Sequence, residues 1–216
     1  MKESTHREQI LTKVRNALIE KTENPYIDID LTSDVMYKLD DSEGLEIIFA
    51  NELIALGGKF IYCENEKYFL DDLKILMEQK AWPSIWCVSE KIASVLEAGH
   101  ISHHADVMED SAGEVVGLTS CEKLIARTGS IVVTDTYSGS RSAYAYPDIH
   151  LVLAYTSQVV PSIKVAFQEL KTKYVEGLPS QITIITGASR TADIEKTLVM
   201  GAHGPKELYV FLIDDL

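Results

Sequence analysis

The chain has 216 residues, 46% of them hydrophobic and 25% charged, with 20 basic against 33 acidic side chains and a net charge of −13 at pH 7. This is the composition of an ordinary globular protein, long enough to bury roughly 70% of its unfolded surface; collagen-like and disordered classes are excluded. Nucleic acid and anionic membranes both need a basic face, and the acidic balance argues against each, although a local pocket can still differ from the whole surface. Cys63, Cys87 and Cys121 lie far apart with no C-x-x-C pair. Neither a disulfide framework nor an iron–sulfur cluster, which needs about four thiolates, is expected. MKESTHREQI holds no apolar run, and no stretch approaches the about 20 apolar residues of a membrane helix, so the expectation is a cytoplasmic protein without a secretory signal or membrane insertion.

The spacing of Thr5 and Glu8 predicts a capping box, followed by a helix with Ile10, Leu11, Val14, Ala17 and Leu18 on one face and an end at Asn24-Pro25. Residues 26–41 read as an acidic connector. The predicted division is thus an N-terminal helix and connector over 1–42 and one α/β domain over 43–216. Within the domain a helix is expected over about 43–56, closed by Gly57-Gly58, then a strand at 59–63 and a helix at 66–80. A strand at 84–88 leads to a helix at 89–98 with Ser89 as its cap. Region 99–116 suggests a strand near 101–107 and a turn near Gly113. Thr119-Ser120-Cys121-Glu122 has capping-box spacing and predicts a helix ending at Gly129. Strands follow at 130–134 and 150–154, a helix at about 162–173, a strand at 182–186, a helix at 191–200 and a strand at 208–213. Alternation of this kind implies a three-layer α/β/α fold with a largely parallel or mixed sheet. The direct passage from 134 to 150 implies an antiparallel part or a small subdomain.

Three features carry candidate chemistry. Gly187-Ala188-Ser189-Arg190-Thr191-Ala192-Asp193-Ile194-Glu195 leaves a strand and, on this reading, starts a helix. Free N–H groups there, with Arg190 as a clamp, suit a carboxylate or phosphate. The same residues are equally explained as a cap and an Arg190–Asp193 pair. Gly201-Ala202-His203-Gly204-Pro205 places a histidine in a rigid turn, either as a general acid–base or as a shaper of the loop. The 136–148 stretch, with Arg141 and three tyrosines before His150, is long enough for a binding loop, while the tyrosines demand something to pack on. Glu122 is a candidate base or nucleophile that its cap position also explains. His103 and His104 are adjacent and point to opposite faces of a strand, which with His100 disfavours a metal site. Cys121 falls on the apolar face and reads as buried and inert.

The ordered set GLTSCEKLIARTGSIVVT, Arg141 in its loop, PDIHLVLA, GASRTADIEKTLVMGAHGP and LYVFLIDD resembles the lactate utilization domain family, and within it the stand-alone members without a cluster module. The resemblance covers most of the chain from about residue 43, with 117–213 as its specific part. It implies a fold similar to the sugar-phosphate isomerase and CoA transferase group. The matching motif positions are Thr128, Gly129, Ser130, Pro147, His150, Gly187, Ser189, Arg190, Thr191, Asp193, Glu195, His203, Gly204 and Pro205; Ala188 stands where proline is common, and the 136–146 loop departs from the family's glycine- and leucine-rich versions.

The resemblance implies a role in oxidising L-lactate to pyruvate beside two iron–sulfur partner proteins. No cofactor is expected in this chain itself, and iron–sulfur clusters are expected in the partners. The candidate catalytic residues are His203, Glu122 and Glu195. A small anionic metabolite would be held by Thr128, Gly129, Ser130, Arg141, His150, Gly187, Ser189, Arg190, Thr191, Asp193 and Gly204. The alternatives are an independent enzyme on a sugar-phosphate, acyl-CoA or folate-like substrate, which rests on fold analogy, and a non-catalytic scaffold.

Overall fold

The computed structural model describes residues 5–19, 39, 42–106, 114–138, 141–192, 198–201 and 204–216. The expected connector, apart from Leu39, the turn near Gly113, and Asp193, Glu195 and His203 lie outside the described residues. The chain divides into two compact units, Met1–Lys38 and Leu39–Leu216. In the first, α1 (His6–Ile19) opens with the predicted reciprocal cap. The Thr5 N–H donates to Glu8 Oε2 at 2.9 Å, and the Glu8 N–H donates to Thr5 Oγ1 at 3.3 Å.

In chain order the second unit contains α2 (Leu45–Ala55), β1 (Lys59–Cys63), α3 (Glu66–Lys80), β2 (Ile85–Trp86), α4 (Glu90–Ala98), β3 (His103–His104), β4 (Val116–Ser120), β5 (Lys123–Ile125) and β6 (Ser130–Thr134). It continues with α5 (Ser142–Ala145), β7 (Ile149–Tyr155), β8 (Val159–Val160), α6 (Ile163–Lys173), β9 (Ile182–Ile185), β10 (Arg190–Ala192), β11 (Leu198–Met200) and β12 (Glu207–Ile213). Six strands form one sheet in the order β1-β12-β7-β4-β2-β3, every described pairing parallel. The central strands IHLVLAY and ELYVFLI are apolar on both faces and almost wholly buried, as a sheet covered on both sides requires.

On one face α3 and α4 bring Phe69, Leu73, Ile92 and Leu96 onto Leu151, Leu153 and Phe211. The Phe69 and Phe211 rings meet edge to face at 5.3 Å. The opposite face, with Val152, Ala154, Val210 and Leu212, is covered by Phe49 and Leu53 of α2 and by a second sheet in the order β8-β5-β6-β9. That sheet buries its far side, Ile125, Val132 and Val160, against Ala166 and Leu170 of α6. The fold is α/β with a mainly parallel sheet flanked by helices, and one of its outer layers is shared between α2 and the second sheet.

Four predicted elements differ from the structure, among them the strand expected over 84–88, which shortens to Ile85–Trp86. The helix expected after Thr119 is absent: β5 pairs antiparallel with β6 and parallel with β8. Leu124 and Ile125 face opposite cores, which a strand allows and a one-sided helix does not. Gly129, read as a helix stop, closes this turn at φ 55. The helix expected over 191–200 is replaced by the antiparallel pair β10 and β11. The strand expected over 101–107 shrinks to His103–His104, parallel to β2.

Candidate functional site

Parallel strands end together, so their following loops and helix starts converge on one edge, where ligands of open α/β sheets bind. Here the carboxyl ends of β4 and β7 and the turn from β2 into α4 enclose a pocket of about 200 Å³. Ser89 and Lys91 open α4 on one side of it. Ser89 occupies the cap position but makes no side-chain cap bond, so the first N–H groups of α4 are not claimed by their own cap. Tyr155 ends β7, and its hydroxyl donates to Glu66 Oε1 at 3.2 Å. Burial, with the Glu66 charge beside it, pushes that phenol up to about 12, so it stays protonated at neutral pH. Gln158 is fixed from both ends, donating to the Cys121 carbonyl at 2.5 Å and accepting the Tyr155 N–H at 2.8 Å. Larger hollows of about 390 and 350 Å³ lie beside Trp82 and His100 and beside Lys123 and Glu169. They are more open to solvent and line neither strand end.

Tyr137 walls the pocket, and a buried ionic cluster lies behind it. The Glu122 residue is 3% exposed. Its Oε1 accepts from Thr134 Oγ1 at 2.8 Å and from the Tyr174 hydroxyl at 2.5 Å, and its Oε2 pairs with Lys173 Nζ at 2.7 Å. Lys173 Nζ also lies 3.9 Å from the centre of the Tyr137 ring. Burial pulls the Lys173 ammonium down, but the hydrogen bond and charge of Glu122 outweigh it and hold the group above its ordinary value. Glu122 is thus a saturated acceptor held by a cation, an arrangement suited to fixing the turn that carries Tyr137. No sequence signal marks this cluster, because Glu122 and Lys173 are 51 residues apart.

The predicted motif residues that the structure describes do not gather at this pocket. Thr128, Gly129, Ser130, Gly187 and Arg190 converge on the end of α2. A Cβ at Gly129 would fall 2.7 Å from the Glu52 carbonyl carbon and 2.9 Å from Leu53 Cα, and one at Gly187 would fall 3.1 Å from the Leu56 carbonyl oxygen. Ser130 Oγ donates to Thr128 Oγ1 and shares a second hydrogen bond with Thr186 Oγ1, both at 2.8 Å. The Arg190 guanidinium donates to the Leu56 carbonyl, placing positive charge where the α2 dipole is negative. Arg190 lies in a strand, so the expected helix-start anion clamp is corrected to a cap on α2. Thr191 follows it in β10.

His150, Ser189 and Gly204 lie nearer the amino end of β7 and β12. The Ser189 N–H donates to the Pro205 carbonyl at 2.8 Å, and a Cβ at Gly204 would sit 3.3 Å from Ser189 Cβ. Asp148 ties this edge together through Lys206 Nζ at 2.8 Å and the Val115 N–H at 3.1 Å. His150 is fully buried between the sheets; its Nε2 shares a hydrogen bond with Thr119 Oγ1 at 2.8 Å, and its Nδ1 has no partner among the described residues. Burial drives its pKa down to about 3, so this imidazole is a neutral core group and not a base exposed to substrate.

A pH dependence follows from that burial. The unfolded chain takes up a proton near the ordinary histidine value of about 6.5, whereas the folded chain resists it down to about 3. This part of the stability is complete above 6.5 and declines as pH falls through the window, by about 1.4 kcal/mol per unit. Between pH 6.5 and 5 the protein is expected to lose about 2 kcal/mol more than its His150→Gln variant. Urea unfolding of both proteins at each pH checks this, and parallel curves would refute it.

Arg141 flanks α5 and is exposed. Within the predicted loop Ala143, Tyr144 and Pro147 are buried while Ala145 and Tyr146 are exposed, and a Cβ at Gly117 would meet Pro147 and, at 2.8 Å, the Ala143 carbonyl. Tyr146, though exposed, sets its ring edge to face on Trp86 at 6.2 Å. His103 Nδ1 and His104 Nδ1 bond to the carbonyls of Ile101 and Asp106 at 3.0 and 2.7 Å. Among the described residues no group of three metal-ligating side chains is assembled, and no helix is long and apolar enough to cross a membrane. Cys121 is fully buried, and burial raises its thiol pKa.

The fold and its edge pocket define an α/β protein with a mainly parallel sheet and a small-molecule-sized recess at its carboxyl edge. The LUD domain profile matches residues 48–213, and the chain belongs to the LUD (lactate utilization) domain family. It is 34% identical over 165 residues to lactate utilization protein C of Bacillus velezensis, covering 74% of this chain and 64% of that one. The counterpart from Bacillus licheniformis is 32% identical over 102 residues, covering 46% of this chain and 42% of its own. The chain therefore spans between 42% and 64% of the length of these two relatives. A crystal structure of a DUF162 family protein from Deinococcus radiodurans superposes with a TM-score of 0.62 at 18% identity, covering 82% of this chain and 99% of that one, which establishes the shared fold.

Proposed function

We propose that this protein serves in lactate utilization as a component without a cluster of its own, binding a small carboxylate in the pocket at the carboxyl edge of the parallel sheet. The observation that carries this reading is the start of α4 in that pocket, where uncapped N–H groups and the Lys91 ammonium stand beside hydroxyl donors. Such a helix start attracts a carboxylate through its aligned peptide dipoles. The names of the relatives support the pathway, and the geometry of this helix start supports the choice of site. Oxidation of lactate to pyruvate releases two electrons and two protons; in this reading partner iron–sulfur proteins take the electrons while this chain holds the acid or its product.

Calorimetric titration of the protein with L-lactate and pyruvate tests the proposal. Lys91→Ala is expected to weaken binding about five- to tenfold, the weight of one charge-assisted hydrogen bond at a partly exposed site. Equal affinity in the variant, or no heat with either acid, would refute it. A second reading, an independent enzyme on an acyl-CoA or sugar-phosphate, draws on the buried carboxylate of Glu122 near the same edge. Both Glu122 oxygens already have partners in Lys173, Tyr174 and Thr134, which favours the first reading; a thioester on Glu122 detected by mass spectrometry after incubation with an acyl-CoA would favour the second.

A further inference from the structure

We propose that the edge pocket selects α-hydroxy or α-oxo monocarboxylates with an apolar side chain of about four to seven carbons over lactate itself. This rests on the reading of that pocket as a carboxylate site. The lining joins two chemistries: Ser89 and Lys91 at the start of α4, and an aliphatic wall of Ile92, Val95 and Leu153 bordered by the rings of Tyr137 and Tyr155. Ile92 and Leu153 are core residues, each 3% exposed, so the wall is anchored and not a loose surface patch.

Volume and charge then fix the ligand class. An apolar cavity of about 150 Å³ admits benzene, and this pocket offers about 200 Å³. A lactate anchored at Lys91 presents one methyl group and leaves Val95 and the rings of Tyr137 and Tyr155, the half-buried apolar groups of the lining, in contact with water. A branched alkyl or phenyl group on the same acid covers that wall, and each additional buried carbon adds affinity. The charge of the ligand is limited to one. Among the described residues Lys91 is the single cation of the lining, Glu90 begins α4 beside it, and Glu66 lies behind the Tyr155 hydroxyl. A phosphate dianion would meet one ammonium and these carboxylates in a chain of net charge −13, whereas a monocarboxylate is matched by the lysine and the helix start. The Ser89 hydroxyl can donate to the α-oxygen, and the Tyr155 hydroxyl, whose own proton goes to Glu66, can accept from an α-hydroxyl.

The test is calorimetric titration of the full chain with L-lactate, α-hydroxyisocaproate and phenyllactate, with phenylethanol as the uncharged control. The two larger acids are expected to bind about tenfold or more tightly than lactate, and the alcohol about tenfold or more weakly than phenyllactate. Val95→Phe, which crowds the apolar wall, is expected to abolish the preference for phenyllactate over lactate. Lactate binding as tightly as the larger acids overturns the inference and leaves the carboxylate reading standing. Failure of every acid to bind overturns both. The ligand series on the unaltered protein decides the question if Val95→Phe proves unstable.

Discussion

Gly129→Val is expected to lower the stability of the protein by about 4 kcal/mol. Two separate costs add. At φ 55 any residue with a Cβ enters the left-handed region at about 1–2 kcal/mol, more for a β-branched one. That Cβ would also lie inside contact distance of the backbone of Glu52 and Leu53. Backbone cannot rotate away as a side chain can, so α2 must lift, at about 1–3 kcal/mol for an overpacked site. Lifting α2 loosens Phe49 and Leu53, which are completely buried against the second face of the main sheet. Gly129→Ala carries the same clash without the extra branching, and about 3 kcal/mol is expected for it. Urea unfolding measures both, and a loss below about 1 kcal/mol would mean that α2 is not held as described.

The Glu122 cluster has the next largest expected effect. Glu122→Ala removes the shared acceptor of Lys173, Tyr174 and Thr134. Loss of one member of a buried ion pair costs about 3–5 kcal/mol. Here the Lys173 side chain is 45% exposed while that of Glu122 is 1% exposed, so the stranded ammonium can turn to water. The expected loss is therefore nearer about 3 kcal/mol, much of it from the two orphaned hydroxyls. Adding Lys173→Met to Glu122→Ala should cost less than the sum of the single changes, since the second removes a partner already lost. Additive effects would show that the pair is not coupled. The Tyr137 ring, with Lys173 over its face, should lose order in the Glu122→Ala variant, visible as reduced near-ultraviolet circular dichroism.

The parallel sheet was readable wherever hydrophobic runs were long. KFIYC, HLVLA and LYVFLI are continuous apolar runs flanked by helices with clear faces, and β1, β7 and β12 occupy those positions. Where the sequence misled, the period was short. Thr119-Ser120-Cys121-Glu122 satisfies the spacing of a cap, but β5 is three residues long, too few for alternation to compete with an apparent helical face. The same ambiguity affected SRTADIEKTLVM, whose described parts Arg190–Ala192 and Leu198–Met200 pair as antiparallel strands.

Three of the motif residues have packing roles that their spacing does not announce. Gly129 and Gly187 matter because backbone passes close to them, and Arg190 because it closes a helix end. Neither fact is visible without α2 in place, 70 or more residues earlier in the chain. The edge pocket was legible only as a principle of open sheets. Ser89 was visible as a cap, but nothing local announced that Lys91, Tyr155 and Gln158 would share its recess.

The position of β12 has a consequence for how the polypeptide matures as it is made. Glu207–Ile213 lies between β1 and β7 in the sheet, parallel to both, although β1 was completed more than 140 residues before it. A nascent chain that has reached residue 206 can already hold β4 beside β7, but it has nothing to join β1 and α3 to them. Until Glu207–Ile213 leave the ribosome, Phe69 and Leu73 lack Phe211, their ring partner and neighbour in the core. Long-range parallel pairing of this kind forms slowly. Chains released before β12 is made would therefore display an open sheet edge and a bare helix face, the signals by which chaperones and proteases recognise incompletely folded molecules.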